Sequence, residues 1–133
     1  MRTIAIPSAD WRVKLDEFSA AHEGWRVSLE LLMPDFGAQP EITDLPLRGV
    51  AAELSENDAT ITIAAGSTRF DQITHTIHTP THVRLEQDDA GADVALEVES
   101  GQARAILRFT SPALPETVDS MAGKIPSVVT GIS

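Results

Sequence analysis

Trp11, Leu15, Phe18 and His22 recur at the three- and four-residue steps that put side chains on one face of a helix, with Ala21 alongside. Ser8 is placed as an N-cap, Asp10 complements the positive end of the helix dipole, and Gly24 can close the helix in the left-handed conformation. Arg12, Asp16, Glu17 and Glu23 take the opposite face, so the pattern predicts an amphipathic helix lying on an apolar surface. From Trp25 the period changes to two. Trp25, Val27, Leu29 and Leu31 alternate with Arg26, Ser28 and Glu30, which predicts a half-buried strand. Pro34, Gly37 and Pro40 mark a loop. Leu45 and Leu47 keep one phase, whereas Val50, Ala52 and Leu54 keep the other. The slip falls at Gly49, where a β-bulge would return the apolar side chains to the core. Ser55 to Asp58 read as a turn before a strand carrying Ile61 and Ile63.

The stretch from Ile73 to Glu86 holds its alternation throughout. Ile73, His75, Ile77, Thr79, Thr81, Val83 and Leu85 share one phase, and Thr74, Thr76, His78, Pro80, His82, Arg84 and Glu86 the other. The pattern predicts one long strand bent near Pro80, the proline facing an unpaired position. After a turn at Asp88 to Gly91, Val94, Leu96 and Val98 face Ala105, Leu107 and Phe109 across a Gly101-Gln102 turn, which sets Glu99 opposite Arg104. Every connection is short and no crossover helix separates the strands, so a parallel sheet is disfavoured. The expected fold is α+β and mostly β: an N-terminal helix packed on a small, strongly bent antiparallel sheet, or partial barrel, of about six strands. Its core is Trp11, Leu15, Phe18, Trp25, Val27, Leu29, Val50, Leu54, Ile61, Ile63, Ile77, Val83, Leu96, Val98, Leu107 and Phe109. Residues 1–111 form this domain, and 112–133, broken by Pro112, Pro115, Gly123, Pro126 and Gly131, form a tail expected to dock.

Composition narrows the function more than it defines it. A chain of 133 residues has room for one domain with a real core. Twenty acidic against ten basic residues give a net charge of −10, which opposes phosphate backbones. Lys14 and Lys124 are the only lysines, aromatic residues are only 5%, and Trp11, Phe18, Trp25 and Phe109 lie in apolar phase, so the basic stripe and stacking platform of a nucleic-acid binder are missing. With no cysteine there is no disulfide frame, thiolate metal site or cysteine nucleophile. The start has no apolar stretch long enough for a signal peptide, and no segment has the run of about 20 apolar residues that spans a bilayer. A soluble cytoplasmic protein without membrane contact is expected.

His75, His78 and His82 lie close in sequence, but strand geometry separates them as metal ligands. His75 and His78 point to opposite faces, and His78 and His82 stand about 13 Å apart along one face, while zinc needs nitrogens within about 2.1 Å. No metal and no cofactor are expected. His75 lies on the apolar face between Ile73 and Ile77 as a hydrogen-bonded histidine at the edge of the core; used as a general base, it would need a carboxylate or hydroxyl partner. His22 reads as structural, at the negative end of the helix dipole. Glu97 and Glu99 share the outward face of one strand and read as wet surface. No nucleophile elbow and no phosphate-cradling glycine loop is present.

His22-Glu23-Gly24-Trp25, Asp44-Leu45-Pro46-Leu47, Thr74-His75-Thr76-Ile77, Val83-Arg84-Leu85-Glu86, Gly91-Ala92-Asp93 with Ala95-Leu96-Glu97, and Leu107-Arg108-Phe109 follow one another along the chain. Together they resemble a family of small bacterial proteins catalogued only as a domain of unknown function, from about Ile4 to Glu116. The resemblance implies a bacterial source and a free-standing single domain, and it carries no activity or site residue.

Two functions follow as expectations. The first is a non-enzymatic protein-binding or assembly module, its partner a protein or another copy of the chain, with the donor row His78, His82 and Arg84 as contact residues. The alternative is a small hydrolase or isomerase with His75 as general base in a pocket under the helix.

Overall fold

The computed structural model of the protein describes residues 1–68 and 70–110. Strand β1 spans Arg2–Ile6, a single 3-10 turn covers Ser8–Asp10, and helix α1 spans Trp11–His22. Seven strands follow: β2 (Arg26–Met33), β3 (Gly37–Leu54), β4 (Ala59–Ala65), β5 (Ile73–His78), β6 (His82–Gln87), β7 (Asp93–Ser100) and β8 (Ala103–Phe109). They make one open antiparallel sheet of eight strands in the order β1-β6-β7-β8-β2-β3-β4-β5. Among the described residues the protein is mostly β with one short N-terminal helix, as its pattern predicts, but with eight strands rather than about six.

Two elements account for the difference. β1 is a five-residue edge strand whose alternation rests on Ile4 and Ile6 alone. The predicted long strand is two strands, β5 and β6, which lie at different places in the sheet: β5 pairs with β4, and β6 with β1 and β7. Between them Thr79 takes a left-handed φ of 53° and Pro80 is buried, so the chain turns a corner while its alternation runs on unbroken. The predicted loop at Pro34–Pro40 is also shorter. β3 is 18 residues long and runs through Pro40 and Pro46. Its first part pairs with β2, and β4 joins its other side only from Leu47. Around Pro40 there is a ladder on one side only, the condition under which a strand tolerates a missing N–H.

The bulge at Gly49 stands where the phase slip puts it, with the register shifting between Leu47 and Gly49, and Leu47, Val50 and Ala52 are all buried. The β7–β8 hairpin has the predicted register, Leu96 opposite Leu107 and Glu99 opposite Arg104. The core is one cluster formed by α1 and the inner sheet face. Two residues assigned to it are partly outside. Trp25 is 37% exposed because it packs edge-on against His22 and Phe109 and leaves a face to solvent, and Leu54 is 44% exposed at the tip of the β3–β4 hairpin.

The helix begins later than Ser8 would set it: Asp10 is its N-cap residue, without a side-chain capping bond. Gly24 follows its end with φ 86°, as expected. Ser19 ties the helix to the sheet. Val50 follows the end of the β2 ladder, and its N–H and C=O point away from β4. The Ser19 hydroxyl lies 2.7 Å from that nitrogen and 2.8 Å from that oxygen, replacing the strand that is no longer there. Replacing Ser19 by Ala leaves both groups without this partner, and chemical unfolding should show a loss of about 1–3 kcal/mol. A Ser19→Thr variant that retains the hydroxyl should lose less.

Asp44, with φ 52°, joins β3 to β2 and to the residue that follows β8. Its carboxylate accepts hydrogen bonds from Arg26 Nε at 2.8 Å and from Thr110 Oγ1 at 3.1 Å. The Arg26 bond first, and then the Thr110 bond, hold the Asp44 carboxyl below the usual carboxylate range. This contribution to stability is present above the ordinary carboxylate pKa and is lost as pH falls through the lower folded value. The expected docking of 112–133 lies outside the described residues.

Candidate functional site

Helix α1 packs chiefly on β3. Its other flank leaves a cavity of about 390 Å³ against β1, β6 and β7, walled by Ile4, Ile6, Phe18, Leu85 and Leu96 and bordered by the exposed Asp10, Lys14 and Glu17. A pocket under the helix therefore exists, but its histidine is His22. His75 lies elsewhere. The His22 Nδ1 is 2.7 Å from the Phe18 carbonyl oxygen, and its Nε2 is 3.1 Å from Asp93 Oδ2. The other Asp93 oxygen accepts from Gln87 Nε2 at 2.8 Å. The imidazole is buried among Phe18, Trp25 and Phe109, with ring centroids 4.5–4.8 Å away. Both ring nitrogens are already engaged, so the pair offers no free atom for proton transfer to a substrate. It fastens the end of α1 to the start of β7. The helical position of His22 is legible in the sequence, whereas Asp93 carries no pattern that marks it as the partner.

His75 is half-buried on β5, and its Nδ1 lies 3.7 Å from Glu41 Oε1 on β3. That carboxylate is a partner the sequence alone does not place. The cavity beside it holds about 130 Å³ and is lined by Leu31, Ile77, Val98 and Ser100 among others. The Ser100 hydroxyl is turned to the backbone, 2.7 Å from the His78 oxygen and 3.1 Å from that of Thr79.

The donor row is not one row. His78 ends β5, whereas His82 and Arg84 belong to β6, and these strands are not neighbours in the sheet. Arg84 donates to Glu99 at 2.9 Å and lies 3.6 Å from Glu97, while Arg104 donates to Glu97 at 2.9 Å. The Glu99 hydrogen bond and the Glu97 charge raise the Arg84 pKa above its ordinary value, so it stays charged and neutralised in place. His82 is mostly exposed, with Nδ1 3.8 Å from Glu99. Glu97, expected to be wet, is only 6% exposed because it sits between the two arginines across the ladder. The outer face of β6–β7–β8 is a closed network of charges in which the Arg84 cation is already matched.

The other chemistry-bearing feature is the free edge of β5. Thr79 N–H donates to the Ala59 carbonyl, in register with the β4–β5 ladder. Alternation along an antiparallel pair then directs the backbone groups of Ile73, His75 and Ile77 toward β4 and those of Thr74, Thr76 and His78 outward. Among the described residues, the one bond to those outward groups is that of the His78 oxygen, which accepts from the Ser100 hydroxyl. No residue from Ile73 to Ile77 carries an ordinary charge, and none is proline, the two devices that usually blunt an edge. The opposite edge is blunted: β1 bears Arg2, stops at Pro7, and gives its Ile6 carbonyl to Trp11 Nε1.

Among the described residues, no helix is long and apolar enough to cross a membrane, and no group of three or more His, Asp or Glu side chains is arranged to hold a metal ion. No curated protein and no solved structure matches the chain. The resemblance seen in the segments from His22 to Phe109 does have a counterpart: a family model matches residues 2–117, and the chain belongs to that family, DUF5335, a family of unknown function.

Proposed function

We propose that the chain is a non-enzymatic protein-binding or assembly module of the bacterial cytoplasm, working without a cofactor, and that it takes an extended segment of a protein partner along the edge of β5. The observation that carries this reading is the outward-directed backbone of Thr74 and Thr76 on a strand with neither charge nor proline. Main-chain bonds to such an edge supply affinity, and side chains at alternate positions supply selectivity. His78 lies on the same strand and would touch the partner; His82 and Arg84 present a separate, charged surface. A net charge of −10 keeps nucleic acid out of this reading.

Amide exchange in dilute protein tests the premise. The amides of Thr74 and Thr76 should exchange within the time that leaves Ile73, His75 and Ile77 protected by β4. Equal protection of all five at every dilution would mean that the edge is closed within the chain, and the reading would fall. Binding through the backbone should also vary little with salt and pH. Binding through His82 and Arg84 would weaken as salt screens the charges.

One observation favours the enzymatic alternative, the approach of Glu41 to His75. A catalytic His75 requires turnover that His75→Gln abolishes without unfolding the protein. The small adjoining cavity and the turned-away Ser100 hydroxyl weigh against it.

A further inference from the structure

We propose that the partner of β5 is the β5 strand of a second copy of this chain, paired antiparallel about a two-fold axis at Thr76. This rests on the open-edge reading above and adds the identity and register of the occupant. The outward backbone groups belong to Thr74, Thr76 and His78, a set symmetric about Thr76. Pairing Thr76 with its own counterpart therefore brings every outward group opposite another: Thr76 faces Thr76, and Thr74 faces His78 on both sides of the axis. The His78 carbonyl, already holding the Ser100 hydroxyl, retains a second lone pair for the incoming Thr74 N–H.

The side chains agree with that register. On the outer face it gives a Thr–Thr pair flanked by two Thr–His pairs, and on the inner face two His75–Ile77 pairs. Threonine pairs are among the favourable cross-strand combinations, and like charges, which would oppose self-pairing, are absent from the strand core. The chain as a whole carries −10, so a second copy is repelled at most approaches; the residues from Ile73 to Ile77 contain no carboxylate, and the nearest on β3, Glu41, lies beside His75. Exposed Ile73 and Phe70, at and just before the start of the strand, leave apolar surface next to it. The contact is isologous and closes on itself, so it yields a dimer rather than a fibre. A pairing of this length buries less than a standard interface, so the dimer belongs to the weak class and its assembly depends on concentration.

The test exploits the absence of cysteine from the whole chain. Sedimentation of the native protein from about 1 μM to about 1 mM, the range of weak association, should move from 14.3 kDa toward twice that mass. Thr76→Pro should hold the protein at the monomer mass. The Thr76 N–H points away from β4, so circular dichroism should be unchanged. Thr76→Lys should do the same by placing two ammonium groups face to face, with partial rescue by salt. Thr76→Cys makes the only thiol, and a hydrogen-bonded pair spaces its Cα atoms about 5.5 Å, within disulfide range. Mild oxidation should yield a covalent dimer at least tenfold faster than a Ser55→Cys control in the distant β3–β4 turn. A monomer mass at every concentration, with rapidly exchanging Thr74 and Thr76 amides, overturns the self-pairing while the open-edge reading stands. A dimer that survives both Thr76→Pro and Thr76→Lys overturns the inference and places the contact on another surface.

Discussion

Replacing Leu107 by Ala should lower the unfolding free energy by about 2–5 kcal/mol, and Leu96→Ala should cost a similar amount. Both side chains are essentially inaccessible, and they face each other across the β7–β8 ladder. They are also the centre of a longer row. Ile4 pairs with Leu85, Leu85 with Leu96, Leu96 with Leu107, Leu107 with Leu29, and Leu29 with Ile42, so six aliphatic residues cross the strands from β1 to β3. Removing one of the central two leaves its neighbours on both sides facing a void that the ladder prevents from closing. Typical domains are stable by only about 5–15 kcal/mol, so either change consumes a large share. Urea unfolding followed by fluorescence of the buried Trp11 measures the loss. The double variant should cost less than the sum of the singles, since the two truncations open a common space. A loss below about 1 kcal/mol for either single variant contradicts a rigid central row.

The row explains which parts of the fold the sequence discloses. The β7–β8 hairpin is legible to the residue because a two-residue period on each side of a short Gly101-Gln102 turn leaves one register with both apolar faces inward. Gly49 is legible for the same reason, since a change of phase has few physical causes and a bulge at glycine is the simplest. The corner at Thr79–Pro80–Thr81 is hidden because alternation continues through it. A corner of three residues preserves parity when the chain leaves β5 and enters β6, so phase does not reveal that the second strand has moved to another part of the sheet. β1 is missed because two isoleucines make too short a pattern. Glu97 lies on the outward face as its phase requires, yet it is buried, because its cover comes from Arg84 and Arg104 on neighbouring strands.

The candidate site divides along the same line. That His75 lies inward and Thr74, Thr76 and His78 outward can be read from the period. That β5 is an edge strand follows only from the strand order, and the grouping of His78 with His82 and Arg84 assumed a single strand. Likewise, a histidine at the end of an amphipathic helix announces its contact with the helix carbonyls, whereas the carboxylate that completes it comes from a strand far along the chain.

That carboxylate supplies the second large effect. His22→Ala should destabilise the protein by about 3–5 kcal/mol, the range for truncating a large buried ring. The imidazole joins two acceptors, the Phe18 carbonyl at Nδ1 and Asp93 at Nε2, and satisfying both at once requires a proton on each nitrogen or one on Asp93. Alanine leaves Asp93 held by Gln87 alone and empties the space between Phe18, Trp25 and Phe109. Asp93→Ala should cost less than His22→Ala, because the aromatic packing survives and only Nε2 loses its partner. Asp93→Asn should be milder still. Its amide oxygen can keep the Gln87 bond while its NH2 group donates to Nε2 of a neutral ring whose Nδ1–H still reaches Phe18. Imidazole proton resonances report the ring in that variant, which should show a single slowly exchanging N–H, the one on the Phe18 carbonyl. Equal losses for Asp93→Ala and Asp93→Asn would mean that charge, not hydrogen bonding, holds the end of α1 to β7.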